Sequence, residues 1–223
     1  MTFISKELSD RLLSPDSRES EMVNAKKCLH DSKHLSIQQQ IENWVILGEG
    51  NKWEKQPFFA EQAYLQTIAL IKKLQDEIML ADAYKALGDV WFFSESYERC
   101  IDYYEDALKI FDKYDHANWS GVISQIAYVY AGLGQEKNEQ ITLSKAISKQ
   151  NLPTLVRATF LERLALSLSV SDPREAIANY EKALNGFSAT NFKRDWDKRI
   201  QRLSQLYESI GDYENAQKTL MRL

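Results

Sequence analysis

An all-α solenoid of about five helical hairpins, headed by an N-terminal helical cap, is the architecture that this 223-residue sequence predicts. Two observations carry that expectation. A spaced set of large, small and aromatic residues recurs about every forty positions, and a period of that size signals stacked units that bury their apolar faces against one another. The four prolines, at 15, 57, 153 and 173, all fall at expected helix starts or linkers, so nothing interrupts the helical interiors.

Residues 1–36 stand outside the repeat. Phe3, Ile4, Leu8 and Leu12 give residues 3–13 the spacing of a short amphipathic helix, Ser14-Pro15-Asp16-Ser17 reads as a break, and Met22, Val23, Ala25 and Leu29 mark a second helix over 17–31. Two roles are open to this extension: a cap over the end of the stack, which repeat arrays need for solubility, or an independent binding tail.

Residues 37–223 form the repeat region, with units at about 41–76, 81–115, 120–150, 158–188 and 197–223. Each first helix carries two large apolar residues and then a small one: Trp44-x2-Leu47-Gly48, Tyr84-x2-Leu87-Gly88, Ile123-x2-Ile126-Ala127, Leu161-x2-Leu164-Ala165 and Ile200-x2-Leu203-Ser204. Three residues further on stand Trp91, Tyr130 and Tyr207, with Leu168 still apolar and Asn51 the departure. The second helices are anchored on Tyr64, Tyr104, Leu143, Tyr180 and Leu220, with small residues four before (Ala60, Cys100, Ala176, Ala216) and three after (Ala107, Ala146, Ala183). Residues three and four apart share a helical face, so large and small side chains alternating there form knobs and holes between paired helices. Glu139 breaks the small-residue rule in the third unit. Asp172-Pro173-Arg174-Glu175 spells a helix start, and Glu95-Ser96, Gly134 and Gly211-Asp212 fall at equivalent turns.

These signatures resemble the tetratricopeptide repeat family, whose motif is W-x2-L-G-x2-Y followed by alanine, an aromatic and alanine; the second unit carries nearly every position. The period exceeds the family's usual 34 residues and is similar to the longer-helix variants of kinesin light chains and peptide-pheromone receptors. The resemblance implies a right-handed solenoid whose first helices line a concave groove.

Composition sets bounds on role. A net charge of −4 argues against a general nucleic-acid surface. No stretch reaches the length of a membrane span, and the opening residues lack a signal-peptide run, so a cytoplasmic protein without membrane insertion is expected. Two cysteines, Cys28 and Cys100, fit a reducing compartment. No phosphate loop, zinc helix, nucleophile elbow or dinucleotide fingerprint is present, so neither catalysis, metal nor cofactor is expected. His30 and His34 would share a helical face near Cys28 and Asp31, but zinc needs four well-aimed ligands and this segment reads as a helix end, so no metal site is expected. Some pheromone-receptor relatives act on phosphorylated regulators through a glutamine; Gln38, Gln39 and Gln40 align with no such motif.

The family's groove-facing places fall here on Glu42, Val45, Glu49, Lys52 and Trp53, then Asp82, Lys85, Asp89, Phe92 and Phe93, then Ser124, Tyr128 and the small pair Ala131 and Gly132. Later units contribute Glu162, Leu166, Val170, Gln201, Gln205 and Glu208. The carboxylate clamp of heat-shock co-chaperones needs asparagine at the ninth place, and none of these units has it. Carboxylates beside aromatics suit a basic or amphipathic protein or peptide segment, although Phe92 and Phe93 could equally pack between helices. Trp53 reads as part of a long loop from Glu49 to Pro57. A basic cluster, Lys193, Arg194, Lys198, Arg199 and Arg202, is either a solvated face or a docking patch for an acidic partner. The last hairpin offers an open face around Tyr207, Tyr213 and Leu220, through which self-pairing or a larger complex is expected. The expected role is a non-catalytic protein-interaction scaffold or adaptor, the alternative a regulatory or peptide-sensing subunit of a larger assembly.

Overall fold

Tight turns set the rhythm of the chain. In the computed structural model, which describes residues 6–222, Lys55, Gln75, Glu95 and Asp115 adopt left-handed backbone conformations twenty residues apart, and Gly134 and Gly211 do so at later turns. Among the described residues twelve α-helices run between the turns, and no strand is present. They are α1 (Lys6–Leu13), α2 (Pro15–His30), α3 (Ile37–Trp53), α4 (Pro57–Leu74), α5 (Glu77–Phe93), α6 (Tyr97–Lys113), α7 (Asn118–Gly132), α8 (Glu136–Ile147), α9 (Thr154–Leu168), α10 (Pro173–Ala189), α11 (Trp196–Ser209) and α12 (Tyr213–Leu220).

Helix starts follow local chemistry. Asp172 accepts a hydrogen bond from the Glu175 amide at 3.0 Å with Pro173 in the first helical position, and Asp76 and Asp212 cap α5 and α12 in the same way. Ser36 and Gln39 form a reciprocal capping box at the start of α3, and Gln40 bonds to the Leu35 carbonyl, so two of the three consecutive glutamines tie down a helix end. Pro15 opens α2 directly after Ser14, which shortens the expected break to a single residue because proline's fixed φ suits a first turn. Phe3 and Ile4 of the expected first helix lie outside the described residues.

The chain divides into two compact units, residues 1–122 and 123–223, with the division inside α7. In the first, α3 pairs with α4 and α5 with α6 around Ile41, Val45, Tyr64, Ile68, Ile71, Leu87 and Val90. Burying side chains of this size contributes roughly 1.5–3 kcal/mol each, which outweighs any propensity term. Helix α2 lays Met22 and Ala25 on Leu47 and Ala63, and Gly50 leaves the space that the Met22 thioether fills. Buried Arg18 fastens the extension further, donating to the Leu12 carbonyl at 2.9 Å and pairing with Glu54 at 2.7 Å.

In the second unit α9 pairs with α10 and α11 with α12, and Ala158, Leu161, Ala183 and Phe187 form a core with Phe192 and Trp196 packed on it. Tyr64, Tyr104, Leu143 and Tyr180 are fully buried, as their place in the repeat predicts. Leu220 is not: it ends the eight-residue α12 and is exposed, while Thr219 is turned inward beside Ala216.

Candidate partner-binding surface

The ends of α3 and α5 bring the sequence-nominated aromatics of unit 1 together. Helix α3 continues through Trp53, so Glu49–Trp53 is helical and only residues 54–56 form the turn; the long loop expected there does not exist. Apolar and small residues at Ile46, Leu47 and Gly50 keep packing along the helix, which is why it does not unwind at Glu49. Trp53 and Phe93, the last residues of α3 and α5, lie with ring centroids 6.3 Å apart and are 42% and 62% exposed. The Lys52 ammonium sits 5.8 Å from each ring. Phe92 is half-buried and meets Phe93 edge-on at 5.7 Å, so of the two phenylalanines Phe93 faces outward and Phe92 packs partly inward.

The carboxylates divide into two kinds. Glu42 is exposed. Glu49 accepts a hydrogen bond from the buried Tyr64 hydroxyl and pairs with Lys52 at 2.6 Å, and Asp89 accepts from Tyr104 at 2.8 Å and pairs with Lys85 at 2.7 Å. Both therefore tie a first helix to the second helix of its own hairpin. Burial raises the phenol pKa of both tyrosines, and the facing carboxylates raise it further. Asp82, half-buried, accepts from the Asn118 side chain at 2.9 Å; burial raises its pKa against the opposing effect of that bond. Val45 lies in the core rather than on the surface.

Sequence reasoning missed Phe58 and Phe59, which are 64% and 61% exposed. The signal was present in Pro57-Phe58-Phe59-Ala60, because the inward register of Ala60 and Tyr64 turns the two preceding positions outward. Phe58 meets Trp91 edge-on at 5.3 Å, and the Arg99 guanidinium lies 4.3 Å from the Trp91 ring. Glu61 gathers the Trp91 indole N–H at 3.0 Å and the Tyr103 hydroxyl at 2.8 Å. Cys100 is buried, and burial raises its thiol pKa to about 12, so it stays protonated and unreactive.

In unit 2, Tyr128 is half-exposed with the Arg163 guanidinium 5.4 Å from its ring. Arg163 also pairs at 3.0 Å with Glu139, which accepts from Ser167 at 3.0 Å; the small-residue exception is thus a satisfied buried acid. The basic cluster divides into one paired member and four exposed ones. Arg199 is held by Glu162 at 2.8 and 3.1 Å and stacks over Phe187, whereas Lys193, Arg194, Lys198 and Arg202 are exposed. Leu166 and Val170 are exposed, and Glu162 is occupied by Arg199 and Tyr180. Among the described residues no group of three His, Cys, Asp or Glu could hold a metal ion, and no helix is long and apolar enough to cross a membrane.

Residues 199–223 match the tetratricopeptide repeat family. No curated protein sequence matches the chain. Among solved structures, BtubC (BKLC) from P. vanneervenii is similar over 98% of this chain and 90% of its own, at 18% identity and TM-score 0.67. The apo form of RapI aligns over 97% of this chain at 15% identity and TM-score 0.80, and the chain spans 60% of RapI's length. A putative kinesin light chain from Podosopora anserina with nearly identical TPR-like repeats aligns over 85% of this chain and 95% of its own, at 16% identity and TM-score 0.60. The molecule is thus an α-helical repeat protein. More narrowly, its fold is that of the tetratricopeptide repeat proteins, here with hairpins of about forty residues, and its last hairpin carries the family's sequence pattern.

Proposed function

We propose that this is a non-catalytic, cytoplasmic scaffold or adaptor that holds a basic or amphipathic segment of a partner protein across α3 and α5, with Trp53 and Phe93 as anchors. The observation that carries the reading is the exposed Trp53–Phe93 pair, drawn from two successive hairpins. Large aromatics cost free energy in water, and aromatic anchors supply most of the energy of an interface. Glu42 and Asp82 lie on the same two helices, and residues 1–122 carry 21 Asp and Glu against 14 Lys and Arg, which favours a cationic partner. Tryptophan fluorescence during titration with a basic amphipathic peptide tests this. Saturable binding that weakens roughly thirtyfold in Trp53→Ala, read there from the anisotropy of a labelled peptide because the reporter indole is gone, supports it, and an unchanged affinity in that variant removes it.

The Glu49–Tyr64 and Asp89–Tyr104 bonds favour a second reading, a regulatory or peptide-sensing subunit. A ligand cation drawing on either carboxylate would compete with the tie between two helices, so occupancy would alter hairpin geometry. Solution scattering with and without bound peptide separates the two: an unchanged profile keeps the scaffold and discards the sensor.

A further inference from the structure

The two units have opposite charge. Residues 123–223 carry 14 Lys and Arg against 11 Asp and Glu, where residues 1–122 are strongly acidic, so the chain's net −4 conceals a cationic half. We propose that the turn between α10 and α11, with the adjoining face of α11, is a second docking site, for an acidic segment of a partner protein that places an apolar side chain beside Trp196.

A cavity of about 450 Å³ opens there, walled by Phe192 and Trp196 with Lys193, Asp197 and Arg222 around it. Its apolar wall is anchored from beneath, because Phe192 and Trp196 pack on the core formed by Ala158, Leu161, Ala183 and Phe187. The cations beside it are poorly neutralised. The side chains of Arg194 and Lys198 are 81% and 74% exposed and share one carboxylate, Asp195, at 3.5 and 3.4 Å. Lys193 and Arg222 have no ion-pair partner among the described residues. Arg199 is excluded from the site because Glu162 already holds it. An apolar hollow ringed by unspent positive charge fits a peptide with carboxylates about one hydrophobic residue. A polyphosphate, which has no apolar part, would leave the Phe192 and Trp196 wall uncovered, whereas a peptide's hydrophobic side chain covers it.

The probe is a fluorescein-labelled acidic peptide of alternating Glu and Leu, followed by anisotropy with the full chain. Saturable binding is expected, weakening several-fold as salt rises from about 50 to 200 mM. Lys193→Glu/Arg194→Glu should lower affinity at least about tenfold, while Lys72→Glu/Lys73→Glu, on exposed positions of α4, leaves it unchanged. Trp196→Phe, which keeps the ring packing, should abolish the peptide-induced change in tryptophan emission. Equal affinity in the Lys193/Arg194 variant overturns the proposal. So does displacement of the peptide by a single-stranded oligonucleotide of equal charge at equal affinity, which marks a nucleic-acid surface, or by a second copy of this chain.

Discussion

The ring of Tyr64 stands 2.7 Å from the point that a Cβ on Gly48 would occupy, and its hydroxyl donates to Glu49, the very next residue. Tyr104 repeats the relationship with Gly88 and Asp89, closer still. In these two hairpins the glycine of the signature is therefore the socket for the aromatic anchor of the following helix, and the neighbouring acid fixes the ring's rotation.

Gly88→Ala should consequently destabilise the protein by about 1–2 kcal/mol, an overpacking cost only partly offset by alanine's better helix propensity. Gly121→Ala has the opposite sign. That glycine is exposed in α7, with nothing within 4 Å of the point where a Cβ would stand, so about 0.5–1 kcal/mol of stabilisation is expected. Urea denaturation of the two variants reads both.

Removing Glu139 leaves Arg163 without its acid and Ser167 without its acceptor. Glu139→Ala should cost about 3 kcal/mol, the low end for a buried pair because Arg163 keeps some solvent access. Glu139→Leu/Arg163→Met should cost less than the sum of the single changes, and a double-mutant cycle in chemical denaturation measures the coupling.

Stability should fall at alkaline pH. Burial, reinforced by the partner carboxylates Glu61, Glu162 and Glu181, raises Tyr103, Tyr180 and Tyr207 each to about 12, above the unfolded value of about 10. A raised folded pKa means that the neutral phenols' contribution is complete below about pH 10 and is lost as pH rises through 12. Thermal melts between pH 9 and 12 should show that decline, and Tyr180→Phe should flatten it.

Trp53→Ala and Phe93→Ala should each weaken partner binding by about 2 kcal/mol, roughly thirtyfold, while changing the melting temperature little, because both rings are largely outside the core. Calorimetric titration beside a thermal melt distinguishes lost contact from lost fold. A large drop in melting temperature would assign the pair to packing.

Helix pairing was legible because it depends on short-range spacing: Gly48, Gly88 and the anchors Tyr64, Tyr104, Leu143 and Tyr180 are where periodicity places them. Polar exceptions were not, since spacing alone does not reveal which group satisfies a buried polar side chain, whether distant or local. Glu139 meets Arg163 from another hairpin, while Asn51 is satisfied by its own helix, at 2.7 Å from the Leu47 carbonyl. The surface was legible in part. Trp53 and Phe93 emerge outward as helix ends, but Glu49 and Asp89 belong to internal ties that only the facing tyrosines reveal.

The left-handed corners at Lys55, Gln75, Glu95 and Asp115 are made by residues with a side chain, each at a cost of about 1–2 kcal/mol that glycine would not incur. A hardier version of the molecule can be sought at its corners, one glycine at a time, and Gln75, the uncharged one, is the corner where the gain comes without removing a charge.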